Sequence, residues 1–508
     1  MEEALAGHPG VRRAAFVLRE STGDEPRPVA YIVADEGYLD RAFSGQGDET
    51  RLTEQWRKIY DLYQKPKAAE SIGSGLSTHV WKSAYTQQPI PEPEMQEWIG
   101  CTLERVRQLD PARVLEIGCG LGALLLPLAP NCERYAGTDI SGASIGSLRS
   151  RIAASPERWR SAALFERPAD RLDDFETGSF DTVIINSVTM YFPSAEYLTK
   201  VLMGALRVTR PGGAIFVGDV RSLPLLTTFA VSVELSRADA ALTLDELRGR
   251  VRKRLRLENE LFISPTYFLA LKALHPELSR VEIRPKRGTF DNEMNRFRYD
   301  VVLRLGGATP TEMAPAWLDW SADRPDLDAI GAVLRRERPE ILGIAGIGNA
   351  RLEKDIRAVD LLSGQAAAAT AGELRDMIDG ARARGVHPER LFALADDLGY
   401  RVDFSWTSAR ADGSYDAVFM RRDEGHRHAL PAIQWPNPAA PSGPLSHHVL
   451  GPIQKDRQRR LAKDLRDLLA QRFGGLAPAD FVMVQAMPTM HSGGLELAEL
   501  PPAWLSIS

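Results

Sequence analysis

Residues Val114 to Gly122 read Val-Leu-Glu-Ile-Gly-Cys-Gly-Leu-Gly, an apolar strand run entering a glycine turn. Glycines at 118, 120 and 122 allow a tight bend and let a ligand approach where a Cβ would stand in the way. The spacing by itself also fits a dinucleotide loop, because Gly118, Gly120 and Ala123 satisfy G-x-G-x-x-A. The acids around the loop separate the two readings. Glu116 sits two residues before the first glycine, Asp139 follows at Gly-Thr-Asp beside Ile140, and Asp170 ends Arg-Pro-Ala-Asp. Three carboxylates around one loop repel a pyrophosphate and suit a cationic ligand.

A ligand with both an ammonium and a sulfonium fits this set, so the expected cofactor is S-adenosylmethionine, leaving S-adenosyl-L-homocysteine as product. Asp139 is placed for the ribose hydroxyls and Asp170 for the adenine amino group. Each acid alone also fits a solvated loop residue; the ordered set does not. Asn186 closes the apolar run from Phe180 and lies at the C-terminal edge of its strand, where open α/β folds bind ligands.

The elements around these residues alternate. Apolar runs predict strands at Arg113–Ile117, Arg134–Thr138, Thr182–Asn186, Ala214–Gly218, Val281–Pro285 and Tyr299–Leu305, with helical stretches between them. That pattern favours a parallel sheet wrapped by helices. Residues 1–35 read as a short helix and a β-hairpin, 36–50 as a polar linker, and 51–110 as mainly helical, broken at Ser71–Ser77 and at Pro89, Pro91 and Pro93. Beyond 306, Ile341–Ile347 and Ala417–Met420 read as strands among charged helices. Prolines and histidines over 423–453 suggest a linker, and the remainder opens with an amphipathic helix and closes on Phe481–Val484.

A chain of 508 residues predicts more than one domain, and 44% hydrophobic residues suffice for sizeable cores. A net charge of -5 gives no general basic field, so nucleic acid is not an expected partner. Cys101, Cys119 and Cys132 match no disulfide framework or zinc spacing, which points to a reducing compartment. Acids at Glu2 and Glu3 do not suit a signal peptide, and no apolar run nears about eighteen residues. A cytoplasmic protein with no membrane contact and no metal is expected.

Several segments together resemble a known family, the N-methyltransferase domains inserted into adenylation domains of non-ribosomal peptide synthetases. They are Trp81 to Pro91, the Glu116–Gly122 loop, Asn186 to Pro193, Gly218 to Leu225 (Gly-Asp-Val-Arg-Ser-Leu-Pro-Leu) and Asn295 to Val301. The flanks are similar to the small C-terminal lobe of an adenylation domain. His8 to Val11 and Val29 to Val33 match its start, and residues 465–501 match its end. There the family's final lysine is replaced, within His491-Ser492-Gly493-Gly494, by glycine. The ATP-binding lobe and a carrier serine motif have no counterpart, so no adenylation activity is expected.

The resemblance implies a class I methyltransferase, α/β and Rossmann-like with a mostly parallel seven-stranded sheet. It carries a helical N-terminal cap, an α/β C-terminal extension and a small α+β adenylation-type lobe. The implied organisation is 1–35 first part of the lobe, 51–110 helical lid, 111–305 cofactor-binding core, 306–422 extension, 423–453 linker and 454–508 second part of the lobe. The implied reaction is methylation of an amino nitrogen on an amino acid or an aminoacyl or peptidyl thioester. A carrier protein would supply the thioester in trans, among other synthetase modules. Methylation of oxygen or sulfur, or a non-catalytic docking role, remain the alternatives.

On that implication Asp219 accepts a hydrogen bond from the substrate amine, or else simply pairs with Arg221. Tyr191 walls the methyl group or else is a plain packing aromatic, and Asn186 faces the same edge as Asp219. Tyr85 and Trp81 belong to a lid that excludes water, Tyr85 also reaching the cofactor, though for Trp81 a place in the core is the preferred reading. Arg221, Lys286 and Arg296 hold the substrate carbonyl or a phosphopantetheine arm, or else are solvated or ion-paired surface cations, the reading preferred for each. His447-His448, the glycine turn Ile344–Arg351 and the turn Arg210–Gly213 read as structural. Lys455–Arg460 reads as the polar face of a surface helix with a possible docking role.

Overall fold

The computed structural model describes residues 1–21, 24–43, 48–63, 81–306, 313–320, 327–364, 368–381, 384–422, 432–436, 441, 443–473, 480–484, 487–488, 500–502 and 505. The expectations placed at Thr22-Gly23, Ser71–Ser77 and His491–Gly494, and over most of 423–440, lie outside the described residues.

At the centre is one seven-stranded sheet. Its strands are β1 (Arg113–Ile117), β2 (Arg134–Asp139), β3 (Ala162–Glu166), β4 (Phe180–Asn186), β5 (Thr209–Arg221), β6 (Leu278–Pro285) and β7 (Arg298–Leu305). They lie in the order β3-β2-β1-β4-β5-β7-β6. The first five run parallel, and β7 is antiparallel to both its neighbours. The sheet is mostly parallel and Rossmann-like. β4 is buried at every position, as a central strand covered on both faces must be.

Alternation along the strands splits the core. Leu115, Ile117, Val183, Ile185, Ile215 and Val217 face one layer, together with helix α4 (Ala195–Val208). Val114, Ile184 and Phe216 face the other, with helix α2 (Glu92–Arg107). Sequence reading omitted β3 altogether. Ala-Ala-Leu-Phe-Glu is short and sits at the sheet edge without one fully buried position, so it lacks a strong apolar signal.

Both chain ends meet in one small sheet. Val11–Ser21 pairs antiparallel with Asp24–Ala34, which in turn pairs parallel with Asp480–Met483. Helix Pro452–Phe473 buries Leu461, Leu465 and Leu469 against it. The linker expected over 36–50 is instead helical where described: Glu36–Phe43 buries Leu39, and helix α1 (Asp48–Tyr63) begins at Asp48. Few apolar side chains suffice there because the lobe supplies the other half of the contact. In the expected 423–453 linker, Val449–Leu450 pairs with Phe262–Ile263 and so ties this stretch to the core.

The extension forms a four-stranded sheet in the order Trp317–Asp319, Ile341–Ile347, Tyr415–Arg421, Tyr400–Ser405. It is fastened to β6 by a bidentate pair, Arg284 on Asp403 at 2.7 and 2.9 Å. The turn Ile344–Arg351 is used structurally. Arg351 is buried and donates to the carbonyl of Lys286 at 2.7 Å. Among the described residues, no helix is long and apolar enough to cross a membrane.

Candidate active site

The glycine loop follows β1 and is anchored on β2. Gly118 and Cys119 donate their N–H groups to the carbonyl of Thr138 at 2.7 and 2.9 Å. Gly118, Gly120 and Gly122 adopt φ of 78°, 50° and 83°, which an L side chain rarely tolerates. A Cβ on Gly118 would lie 2.3 Å from Val188 Cγ2, and one on Gly122 2.7 Å from Leu148 Cδ1. At Gly120 a Cβ would meet nothing within 4 Å, so the loop leaves open space there.

Asp139 is tied to this loop. One carboxylate oxygen accepts from Gly120 N at 2.9 Å and the other from Ser141 N at 2.8 Å. Burial raises its pKa despite those bonds. Glu116 is 3% exposed and accepts a hydrogen bond from the Tyr135 hydroxyl at 2.8 Å. Burial pushes its pKa up to about 8, with the Asp139 charge adding and Tyr135 opposing. Among the described residues no ion pair engages either acid; Arg167, which also lines the cavity, pairs instead with Asp174 at 3.2 Å.

Both acids line a cavity of about 150 Å³ at the C-terminal edge of β1, β2 and β4. Ile140, Asn186, Tyr191 and Trp81 line it as well. Asn186 is buried, with Oδ1 unpaired and packed toward Gly218, where a Cβ would approach to 2.2 Å. Tyr191 lies on a single 3₁₀ turn, its ring 4.7 Å from that of Trp56 on α1. Helix α1 (Asp48–Tyr63) covers the cavity: Thr53 lines it, and Asp61 accepts from the Ser141 hydroxyl at 2.7 Å.

Other expected residues stand elsewhere. Asp170 is not in the cavity wall; it accepts from the Tyr197 hydroxyl at 3.2 Å and from Lys200 at 2.6 Å. Its neighbour Ala169 and Tyr197 itself line the cavity instead. Tyr85 also lies outside the wall, its hydroxyl 2.8 Å from that of Ser232 and its ring under Arg296. Arg221 pairs with Glu260 at 2.6 Å and Glu258 at 3.4 Å and lies over Phe229 and Phe262. Arg296 is held by Asp355 and Asp291, and Lys286, 1% exposed, by Asp300 at 2.9 Å. These three cations are engaged in fastening loops, because a buried charge stays ionised only beside a partner.

Asp219 is fully buried at φ 63°. Its oxygens accept from Trp98 Nε1 at 3.1 Å, Ser187 Oγ at 2.9 Å and Arg298 at 2.6 Å. Arg298, not Arg221, is its ion-pair partner. Burial alone would raise the pKa of Asp219, but Arg298, Lys286 and the Ser187 hydroxyl outweigh it and hold the group below the usual carboxylate value. Asp219 is therefore ionised and fully occupied, and the cavity meets Ser187 and Trp98 in its place. Ser187, Trp98, Trp56 and Tyr135 were not assigned roles from the sequence. Only Ser187 carried a local signal, next to Asn186 at a strand end.

The residues fit S-adenosylmethionine. A buried acid and a half-buried one, neither in an ion pair among the described residues, an open approach at Gly120 and an unpaired Asn186 amide oxygen form a cleft suited to a cationic ligand with polar groups.

Similarity in sequence to known proteins agrees. A family model described as a methyltransferase domain matches residues 115–217. The chain is 34% identical to chondramide synthase of Chondromyces crocatus, over 99% of this chain and 13% of that protein. It is 32% identical to a probable non-canonical nonribosomal peptide synthetase, CymA, of Salinispora arenicola, over 99% of this chain and 6% of that one. It is 30% identical to the bassianolide nonribosomal cyclodepsipeptide synthetase of Beauveria bassiana, over 98% and 16%. The chain thus spans a small part of the length of these relatives. Among solved structures it is similar to the N-methyltransferase NodS from Bradyrhizobium japonicum, with 16% identity and a TM-score of 0.32, over 49% of this chain and 98% of that one. Because the family match runs across the strands that carry Glu116 and Asp139, the chain is an S-adenosylmethionine-dependent methyltransferase, and over almost its whole length it is similar to segments of non-ribosomal peptide synthetases.

Proposed function

We propose that the chain methylates the amino nitrogen of an amino acid, or of an aminoacyl or peptidyl thioester brought by a carrier protein on another chain, during assembly of a non-ribosomal peptide. The observation that carries this reading is the pair Ser187–Asp219 at the cavity wall. The Ser187 hydroxyl gives its own hydrogen to an ionised carboxylate. Its lone pairs are then free to accept an N–H from an acceptor amine, which orients the nitrogen lone pair away from the serine. Asp219 acts as a positioning residue through Ser187.

Bound S-adenosylmethionine supplies the methyl group from its sulfonium; Glu116, Asp139, Ile140, Asn186 and the Gly118–Gly122 loop would hold it. Little acid–base work is required of the protein. A free α-amino group with pKa near 7.7–8.0 is neutral in roughly one molecule in seven at pH 7, which costs only about 1 kcal/mol. Orientation of the reacting pair contributes far more, about 7–11 kcal/mol. The protein supplies it with Ser187 for the amine and the aromatic groups Trp81, Trp98 and Tyr191 around the cavity, which also exclude water. The proton of the methylated ammonium leaves to solvent.

Methylation is tested by incubating the protein and cofactor with a free amino acid, its N-acetylcysteamine thioester or the same aminoacyl group on a carrier protein. Fragmentation mass spectrometry then locates the added 14 mass units, about one CH₂. Methyl on the amino nitrogen is expected; methyl on oxygen or sulfur, or no transfer with all three acceptors, would overturn the proposal.

A further inference from the structure

Helix α6 (Leu244–Leu257) has an unusual charge distribution for a chain that is acidic overall. Arg248, Arg250, Arg252, Lys253, Arg254 and Arg256 face only Asp245 and Glu246 within it. Two of these cations are engaged: Arg248 with Asp245 and the Leu362 carbonyl, Arg254 with Glu234. Arg250, Arg252, Lys253 and Arg256 are exposed and, among the described residues, have no acidic group within ion-pair distance. Leu244, Leu247 and Val251 mark the buried stripe, so helical geometry sets these four cations on the opposite arc. Leu257, 64% exposed, shares that arc.

The patch continues onto a second element. Arg459 on helix Pro452–Phe473 donates to the carbonyl of Arg256 at 3.1 Å, and Lys455 caps the carbonyl of Glu258 at 3.0 Å. Exposed Arg460 and Lys463 follow on that helix. Arg459 and Lys455 at the C-terminus of α6, and Arg256 in its last turn, are favoured by the helix dipole, but Arg250, Arg252 and Lys253 have no such role.

Position adds meaning to the charge. Just past α6, Glu258 and Glu260 hold Arg221 at the end of β5. Leu261 then donates to the carbonyl of Met190, beside Tyr191 of the cavity wall. The basic surface is thus linked directly to the rim of the site.

We infer that the outer face of α6, with Arg459 and Lys463, is a docking surface for an acidic protein domain that delivers the acceptor to the cavity. Charge complementarity chooses the partner: unpaired cations around an exposed leucine fit an acidic helix surface with a small apolar centre. The delivery role, though not the surface, rests on the methyl-transfer reading above.

Binding of the full chain to an acidic acyl carrier protein, labelled on its phosphopantetheine arm, is read by fluorescence anisotropy. Affinity should fall as salt rises from about 50 to about 300 mM. Arg252→Glu/Lys253→Glu/Arg256→Glu should weaken it at least about tenfold, whereas Arg335→Glu on a distant helix should not. Replacing the same three residues by Gln gives a milder loss and guards against misfolding. No saturable binding, or equal affinity for wild type and triple variant, would overturn the surface. So would single-stranded RNA that competes for the same residues more tightly than the carrier. In turnover, the triple variant should keep its rate on the N-acetylcysteamine thioester and lose it on the carrier-bound acceptor. Failure of wild type to methylate either acceptor, with variant-sensitive binding intact, would sink the methyl-transfer reading and leave the docking surface standing.

Discussion

The hydroxyl of Ser187 donates to Asp219 Oδ2 across 2.9 Å, and the two residues follow Asn186 and Gly218, which face each other on neighbouring parallel strands. Both backbones turn to positive φ there, 57° and 63°. Holding two non-glycine residues in that region costs on the order of 1 kcal/mol or more each, so the surrounding bonds must over-determine them. Arg298, Trp98 and Asp300 do so, the last accepting from Asp219 N at 2.9 Å.

If Ser187 orients the acceptor, Ser187→Ala should lower kcat by about tenfold, the value of roughly one hydrogen bond made in the transition state. Affinity for S-adenosylmethionine, measured by calorimetry, should stay within about threefold. Asp219→Asn should reduce kcat further and also lower stability by about 3 kcal/mol, because Arg298 is left buried without its charge partner. Turnover of Asp219→Asn within a few-fold of wild type would remove the pair from the mechanism.

Glu116 should make cofactor binding pH-dependent. Its pKa of about 8 in the free protein means the carboxyl is largely protonated at pH 7, while a bound cation favours the ionised form. Binding therefore releases a proton. The advantage of wild type over Glu116→Gln in cofactor affinity should grow by about tenfold between pH 7 and pH 9. Comparison at equal pH cancels titration of the ligand's own amine. Stability of the free protein runs the other way. The folded state keeps a proton that the unfolded chain loses above its ordinary value of 4.5, so stability falls as pH rises toward about 8. Glu116→Gln should not share that loss in thermal melts.

The glycines should not be equivalent. Gly118→Ala places a Cβ into Val188 and forces positive φ on alanine, so it should destabilise the fold as well as abolish cofactor binding. Gly120→Ala meets no protein atom and carries only the backbone penalty, about 1 kcal/mol. Its melting temperature should fall less than that of Gly118→Ala, while cofactor affinity drops because the methyl group occupies the open approach.

Trp56→Ala removes the ring beside Tyr191 on the covering helix α1. The loss should appear as faster cofactor release in stopped-flow displacement, with the rest of the fold unchanged in circular dichroism.

Arg221→Ala should test the reassignment of the cations. With Glu258 and Glu260 left beside each other and two aromatic rings uncovered, stability should fall by about 2–4 kcal/mol. KM for the acceptor should change little if Arg221 never touches it.

The legible parts of the molecule were those written in short stretches. Six of the seven strands of the central sheet announced themselves by apolar runs, and β3 did not, because it is a short edge strand without one fully buried position. Glu116, the glycines and Asp139 lie within one β-helix-β stretch, where local geometry fixes how they meet. The order of strands β5, β7 and β6 was not written locally at all, since β7 inserts between two strands that precede it.

What the sequence determined by itself is the cofactor loop: an acid, a tight glycine bend and a second acid fall on adjacent strand ends whenever that stretch folds. Which cations serve substrate and which serve the fold was decided only in three dimensions. Arg221, Lys286 and Arg296 look alike as letters, yet each sits against an acid brought from a distant segment or a neighbouring loop. Tertiary packing also set Ser187, and not Asp219, against the cavity. A side chain's exposure depends on what covers it, and here Trp98 and Arg298 arrive from 121 and 79 residues away.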